Sequence, residues 1–343
     1  MLSKFYALAL TCALLFTLSP ASAQSNYITT DFFVTNGPLQ LQVRKIVETT
    51  YSSRRKLPLL LIHGGTGATT SFDLNLEDAS FAKSLALGGF TVYLMNMRGW
   101  ERSTAPAYNL ADTALVAGSC QEAASDIDAV VNYVLQGNPA GKITLFGWAA
   151  GGHWAAYYTT LHNDKVANLI VLNSLYGVKA PWVFNEAFAD AADSSKFSNS
   201  ISAYRQSDEQ AVADIWKTGL AEADTISKAD SATIQAFAKS AVSFNDEHLL
   251  KTPGGFRKES FYMAGGRKYW DAKDITVPTL VIRGDKDFWS RPIDVDSFYD
   301  ELANAPNKKK LTIAGGHFVF LDYIGNGRRK LLIAINNFVK MGL

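Results

Sequence analysis

Short apolar runs alternate with stretches of helical periodicity along most of this 343-residue chain, and this alternation restricts the possible folds. Strands that are apolar throughout and are joined by helices pair in parallel, with helices covering both faces of the sheet. The sequence therefore predicts an α/β fold with a mostly parallel sheet. The predicted strands of this pattern are 57–62, 90–95, 142–146, 166–172, 279–283 and 309–313, and the predicted helices are 78–87, 120–135, 150–162, 294–302 and 323–341.

Two further strands precede this pattern, at 31–34 and 39–47, and Asn36-Gly37-Pro38 between them is a turn signal. The alternation then stops over residues 177–275, which are rich in Ala, Ser and Asp and carry scattered aromatic residues. We interpret this stretch as a helical cap inserted into the core. The predicted core therefore comprises residues 24–176 and 276–343.

The first 23 residues have the pattern of an export signal. Lys4 precedes an apolar run over residues 5–18, and Ala21-Ser22-Ala23 provides a site for cleavage. The run is too short to span a bilayer comfortably. We therefore expect a secreted or periplasmic protein that begins at Gln24 and has no membrane association after cleavage. Cys120 would be its one cysteine, which excludes an intramolecular disulfide.

Composition excludes several classes of function. The 33 basic residues balance 32 acidic residues, so nothing indicates nucleic-acid binding, and a hydrophobic share of 48% excludes disorder. The histidines do not form a cluster with metal-ligand spacing, and we expect neither a metal nor another cofactor. The sequence leaves the oligomeric state open.

A glycine-rich turn connects the predicted strand 142–146 to the following helix, with the sequence Gly147-Trp148-Ala149-Ala150-Gly151-Gly152. Small residues two positions before and after the centre permit a tight strand-to-helix turn that exposes the central residue. A nucleotide-binding turn is the alternative. It is disfavoured because the spacing is not G-x-G-x-x-G and no acidic residue ends the strand 166–172.

Three other strand ends carry polar or glycine-rich loops. His63-Gly64-Gly65-Thr66-Gly67 follows the strand 57–62, and its backbone N–H groups could face developing negative charge. Gly284-Asp285-Lys286-Asp287 follows 279–283, and Gly315-Gly316-His317 follows 309–313. A carboxylate and a histidine in this order fit an orienting acid and a general base.

In these motifs the sequence resembles the α/β-hydrolase superfamily over nearly all of the mature chain. The resemblance implies that Ala149 occupies the nucleophile position, that Asp287 rather than Asp285 is the acid, and that His317 is the base. It further implies that the N–H groups of Gly65 and Ala150 form the oxyanion hole. A loop at 96–103 also resembles the superfamily, although Asn96 and Glu101 depart from its usual residues.

Ala149 is the most consequential departure, because a methyl group cannot attack a carbonyl and loss of the serine costs on the order of 10⁶ in turnover. We consider two interpretations. The chain is either an inactivated Ser→Ala form of a hydrolase or a natural non-catalytic relative that binds a ligand. We favour the inactivated form, because Asp287, His317 and the oxyanion-loop glycines are all retained.

The preferred function is hydrolysis of carboxylic esters or lactones through an acyl-enzyme. Aromatic residues in the cap and after the acid suggest an apolar or aromatic substrate, with Thr66, Trp182 and Trp289 as candidate contacts. The His-Gly-Gly loop and the capped layout also resemble proline-iminopeptidase-type amide hydrolases, although the usual Pro of that loop is Thr66 here. That alternative would need carboxylates in the cap to hold an amine; the available ones are Glu186, Asp246 and Glu247.

Overall fold

The computed structural model describes residues 26–50, 56–76, 78–106, 118–137, 141–221, 231–322 and 326–341. The export signal predicted at residues 1–23 lies outside this part of the chain. The strands are β1 (Tyr27–Asn36), β2 (Leu39–Glu48), β3 (Leu59–Ile62), β4 (Val92–Met95), β5 (Ile143–Trp148), β6 (Val166–Leu172), β7 (Tyr204–Ser207), β8 (Leu250–Pro253), β9 (Thr279–Gly284) and β10 (Lys308–Ile313).

The α-helices in the described part of the chain are between 4 and 17 residues long. They are α1 (Thr69–Phe72), α2 (Phe81–Leu87), α3 (Cys120–Gln136), α4 (Ala150–Leu161), α5 (Asn185–Phe188), α6 (Glu209–Ala221), α7 (Ser231–Ala241), α8 (Gly255–Ala264), α9 (Pro292–Glu301) and α10 (Gly327–Met341). Two 3₁₀ turns lie at Ala272–Asp274 and Val319–Leu321. No helix among the described residues has the length and apolarity needed to cross a membrane.

Eight strands form one sheet in the order β1-β2-β4-β3-β5-β6-β9-β10. The β1–β2 and β2–β4 pairs are antiparallel and the others are parallel, which confirms the predicted mostly parallel sheet. The first strand is longer than the predicted 31–34, because β1 pairs with β2 from Tyr27 to Asn36. Gly37 adopts a φ of 57° in the turn between them, a conformation that favours glycine.

The central strands β3, β4, β5, β6 and β9 are buried on both faces of the sheet, to which successive side chains of a strand point alternately. In β3, Leu59 and Leu61 belong to the hydrophobic core that includes α2 and α10, whereas Leu60 and Ile62 belong to the core that includes α3, α4 and α9. This two-sided burial explains why the central strands are apolar throughout. Because these strands run parallel, their carboxyl ends and the polar loops that follow lie at one edge of the sheet.

The cap segment predicted at 177–275 lies between β6 and β9, which are neighbours in the sheet. The segment contains α5 to α8, as its helical composition suggests, but it also contains a two-stranded antiparallel sheet. In this sheet β7 pairs with β8, and Arg205 lies opposite Thr252. The sequence prediction missed these strands because each has only four residues and is rich in polar side chains.

Candidate active site

Ala149 occupies the turn between β5 and α4 with φ 53° and ψ −117°, a conformation that residues with side chains rarely adopt. Glycines on either side permit this turn. A Cβ atom on Gly147 would lie 2.3 Å from the carbonyl oxygen of Gly151, and one on Gly151 would lie 2.3 Å from that of Ile62. The first turn of α4 therefore lies directly against the end of β3, and Ala149 projects at the edge of the sheet.

His317 and Asp287, which come from the loops after β10 and β9, form a buried pair. His317 Nδ1 lies 2.6 Å from Asp287 Oδ1. The same carboxylate accepts hydrogen bonds from the backbone N–H of Trp289 and from both the N–H and the hydroxyl of Ser290. The other ring nitrogen, Nε2, has no hydrogen-bond partner among the described residues.

Asn173, at the end of β6, joins these two loops. Its Nδ2 donates to the carbonyl oxygens of His317 (3.0 Å) and Gly316 (3.3 Å), and its Oδ1 accepts from the N–H of Gly284 (2.8 Å). Asp285 adds a further link, since its Oδ1 accepts from the N–H of Gly315 at 2.9 Å. Asp287 therefore faces the histidine, and Asp285 connects the loops.

The glycine loop after β3 lies beside Ala149. A Cβ atom on Gly64 would lie 3.1 Å from the Cβ of Ala149, and one on Gly65 would lie 2.2 Å from the Phe256 ring. Within the described ranges, the N–H groups of Gly65 and Ala150 donate to no protein acceptor. The N–H of Ala150 is free because the first residue of a helix has no intrahelical acceptor.

His63 holds this loop and is not available as a base. Its Nδ1 lies 2.7 Å from the Gly64 carbonyl oxygen, and its Nε2 accepts from the N–H of Met97 at 3.1 Å. The ring proton is therefore on Nδ1. Complete burial lowers the pKa of His63 to about 4, so the ring stays neutral at physiological pH.

A family model described as the alpha/beta hydrolase fold matches residues 58–323, well over half of the chain. The chain belongs to the α/β-hydrolase fold family. The resemblance inferred from the His-Gly-Gly loop, the glycine turn and the Asp287 and His317 motifs is thereby confirmed at the level of the family.

Individual proteins are also similar to this chain in sequence or in fold. A poly(3-hydroxyalkanoate) polymerase subunit, PhaC, from Thiocystis violacea is 28% identical over 137 residues. That match covers 38% of this chain and only 36% of the subunit, so the chain spans about a third of that relative. The enol-lactonase of Burkholderia xenovorans LB400 superimposes with a TM-score of 0.59 at 14% identity, covering 90% of this chain and all of the lactonase. A thermophilic esterase from Thermogutta terrifontis gives 0.59 at 16%, with 92% and 99% covered.

Aromatic side chains surround His317 in this α/β-hydrolase. The Phe288 ring lies 4.7 Å and the Trp289 ring 6.3 Å from the imidazole, centroid to centroid. Trp182 packs against Trp289 at 5.1 Å and donates a hydrogen bond from Nε1 to its carbonyl oxygen. Thr66, the third candidate contact, is half-buried one residue after Gly65.

Asn96 and Glu101 are the two residues of the loop after β4 that differ from the usual residues of the superfamily. They form a hydrogen bond with each other. Asn96 Nδ2 donates to Glu101 Oε2 at 2.7 Å, and its Oδ1 accepts from the N–H of Thr69. Glu101 also accepts from the hydroxyls of Thr69 and Thr70. Burial raises the pKa of Glu101, which these donors partly offset. The pair therefore attaches α1 to the β4 loop.

A second buried polar group joins the core to the cap. One ligand atom each from Cys120, His153 and Glu259 lies within 4.8 Å of the others, a spacing that a metal ion could use. However, Trp270 Nε1 donates to His153 Nδ1 at 2.9 Å, so the proton of the neutral ring is on Nε2. That nitrogen lies 3.0 Å from Glu259, which also accepts from the N–H of Cys120. These directions fit a hydrogen-bond network, because a metal at Nε2 would require a proton on Nδ1 facing the Trp270 N–H.

We predict that Glu259→Ala lowers the free energy of unfolding by about 3 kcal/mol, because it leaves the Cys120 N–H and the His153 Nε2–H buried without an acceptor. Glu259→Gln should cost clearly less, since its carbonyl oxygen can still accept one bond. Urea unfolding followed by circular dichroism measures both. Exposed Glu186 provides the control, and Glu186→Ala should change stability by less than about 0.5 kcal/mol. An equal effect of the two alanine substitutions would contradict the network.

Proposed function

We propose that this site is the active site of a hydrolase of carboxylic esters or lactones, in a chain where Ala149 stands at the nucleophile position. The observation that carries the proposal is the His317–Asp287 pair, held by hydrogen bonds at the same sheet edge as the strained turn of Ala149. In this assignment His317 is the general base, Asp287 orients it, and the N–H groups of Gly65 and Ala150 stabilise the oxyanion. As it stands, the chain binds substrate without forming an acyl-enzyme.

The chemistry follows from the positions of the protons. With serine at the turn, its Oγ would attack the carbonyl carbon while its proton moves to His317 Nε2, and the N–H groups would stabilise the tetrahedral oxyanion. The same proton would then protonate the departing alkoxide. Water activated by His317 would hydrolyse the acyl-enzyme. Because the methyl group of Ala149 has no lone pair and no acidic proton, the first of these steps cannot occur.

The backbone conformation of Ala149 supports the interpretation that this site evolved for covalent catalysis. A non-glycine residue at positive φ costs on the order of 1–3 kcal/mol, and such strain is typical of positions where a side chain must be presented at a site. Glycine at position 149 would remove that cost. A ligand-binding protein has no need for alanine in this conformation, nor for a buried imidazole–carboxylate pair beside it.

Binding without catalysis is the second candidate, and the specific observation in its favour is Ala149 itself. This candidate predicts tight binding of a small molecule by the unmodified chain and no gain of activity when serine is introduced. Amide hydrolysis of the iminopeptidase kind is less well supported. Glu186, Asp246 and Glu247 are all exposed, and Glu247 is paired with Lys251 at 2.6 Å.

We predict that Ala149→Ser creates hydrolysis of a simple aryl ester, with a kcat/KM at least about 10³-fold above the unmodified chain, because only the nucleophile is missing. Release of 4-nitrophenol measures the rate. Ala149→Gly is the matched control, since it fits the same backbone and cannot attack. His317→Gln added to the serine variant should abolish the gain. A folded serine variant no faster than the glycine variant would exclude the acyl-enzyme mechanism.

We further propose that the protein acts outside the cytoplasm. Expressed as the full chain in a Gram-negative bacterium, it should be recovered from the periplasm or medium with Gln24 as its first residue, as N-terminal sequencing would reveal. Ala23→Asp should block this processing, because the cleaving peptidase requires a small residue there. Recovery of uncleaved chain from the cytoplasm would contradict the proposal.

A further inference from the structure

Three polar side chains of the cap lie close together, and the structure shows no hydrogen bond or ion pair from them to another described residue. They are Arg205 on β7, Thr252 opposite it on β8, and Arg257 in the first turn of α8. The Nε and Nη2 atoms of both arginines and the hydroxyl of Thr252 are enclosed and bond to nothing among the described residues. Arg257 is 8% exposed, Thr252 is fully buried and Arg205 is half-buried.

Such a group is costly to leave without a counter-ion, because a buried charge is normally paired. Burial lowers the pKa of Arg205, and burial together with the charge of Arg205 lowers the pKa of Arg257 to about 10. Arg257 is therefore still protonated at neutral pH. The two guanidinium groups lack acceptors for several of their N–H groups. This part of the cap therefore carries positive charge that no described carboxylate neutralises.

Carboxylates close to the two arginines along the chain do not pair with them. Asp208 accepts from the N–H of Ala211, and Glu209 is exposed to solvent. Glu259, one turn further along α8 from Gly255, accepts from the Cys120 N–H and from His153. Glu247, just before β8, is paired with Lys251. Neither guanidinium has an ion pair within the described residues. No described protein group therefore supplies the missing acceptor.

The geometry of the three groups suits an oxyanion. The Cβ atoms of directly opposite residues on two paired strands lie about 5 Å apart on the same face, so Arg205 and Thr252 are side-chain neighbours. Arg257 follows within five residues, where the free N–H groups of the α8 N-terminus add positive potential. Guanidinium groups match carboxylate and phosphate oxygens in a bidentate manner.

Arg257 is connected to the active site through Phe256, because its guanidinium carbon lies 6.0 Å from the centroid of the Phe256 ring. Phe256, the residue before Arg257, fills the space in front of Gly65, where a Cβ atom would lie 2.2 Å from its ring. Its ring centroid lies 6.2 Å from that of Trp289, beside His317. The first turn of α8 therefore forms part of the wall between the glycine loop and the cap.

We propose that Arg205, Thr252 and Arg257 bind the anionic group, a carboxylate or a phosphate, of the molecule whose ester or lactone lies against Ala149 and His317. The inference rests on the proposed function for the identity of the reacting bond. The expected substrate is therefore apolar or aromatic, as the sequence suggests, and also carries an acidic group that the cap binds.

The binding test uses the unmodified Ala149 chain, with inorganic phosphate and glutarate as separate probes at constant ionic strength. We expect at least one probe to raise the melting temperature above that in chloride, and the probe that does so identifies phosphate or carboxylate. Arg257→Gln should weaken that binding at least about 10-fold, and Thr252→Val should weaken it less. Exposed Arg329 on α10 provides the control, and Arg329→Gln should leave binding unchanged.

Without added anion, Arg257→Met should raise the melting temperature, because it removes an unpaired buried charge. If that variant does not fold, Arg205→Gln provides the same comparison of anion binding. Absence of stabilisation by either probe, or equal stabilisation of the unmodified chain and the arginine variants, would overturn the inference.

A kinetic test separates this inference from the proposed function. In the Ala149→Ser background, 4-nitrophenyl hydrogen glutarate is compared with neutral 4-nitrophenyl butanoate. Arg257→Gln should lower the ratio of the kcat/KM value for the acidic ester to that for the neutral ester at least about 10-fold. An unchanged ratio would refute the anion site alone. If the Ala149→Ser variant hydrolyses neither ester, the proposed function is refuted. The binding test on the unmodified chain would still decide whether the anion site exists.

Discussion

The close contact of the first turn of α4 with the end of β3 determines the geometry of the site. Gly147 and Gly151 permit this contact, since a Cβ atom on either would lie 2.3 Å from a backbone oxygen. The chain can then reverse from strand to helix in one residue, and Ala149 takes up the resulting positive φ. A bulkier turn would move α4 away from β3, and with it the free N–H of Ala150 away from the glycine loop.

The remaining parts of the site are arranged around this turn by hydrogen bonds. Trp148 Nε1 and Asn173 Nδ2 both donate to the His317 carbonyl oxygen, each at 3.0 Å. These bonds fix the backbone of the histidine from two neighbouring strands, while Asp287 fixes its ring. Hydrogen bonds from residues at the ends of sheet strands therefore hold the imidazole in place, although His317 itself lies in a loop. This arrangement is retained although Ala149 cannot use it for nucleophilic attack.

The sequence was sufficient for the parts of the fold that depend on local patterns. The strand β6 was predicted at its observed bounds, because an apolar strand buried on both faces stands out from its surroundings. The Asp287 and His317 motifs were recognisable because each follows a predicted strand within a few residues. The roles of those residues stay predictions until activity is measured.

Features that depend on contacts between distant segments could not be predicted. Asn173 gave one signal, a polar residue at the end of a buried strand, but its partners lie more than a hundred residues away. The pairing of Arg205 with Thr252 joins two short polar strands across α6 and α7. The lack of partners for those side chains is a property of packing, and no local pattern of residues encodes it.

The central claim is that everything needed for covalent catalysis except the nucleophile is in place. The most direct measurement is the intact mass of the folded Ala149→Ser protein after incubation with an organophosphonate ester, with the unmodified chain alongside. The account predicts one adduct per chain at position 149, lost when His317→Gln is added, and none on the unmodified chain. A folded serine variant that remains unlabelled would contradict it.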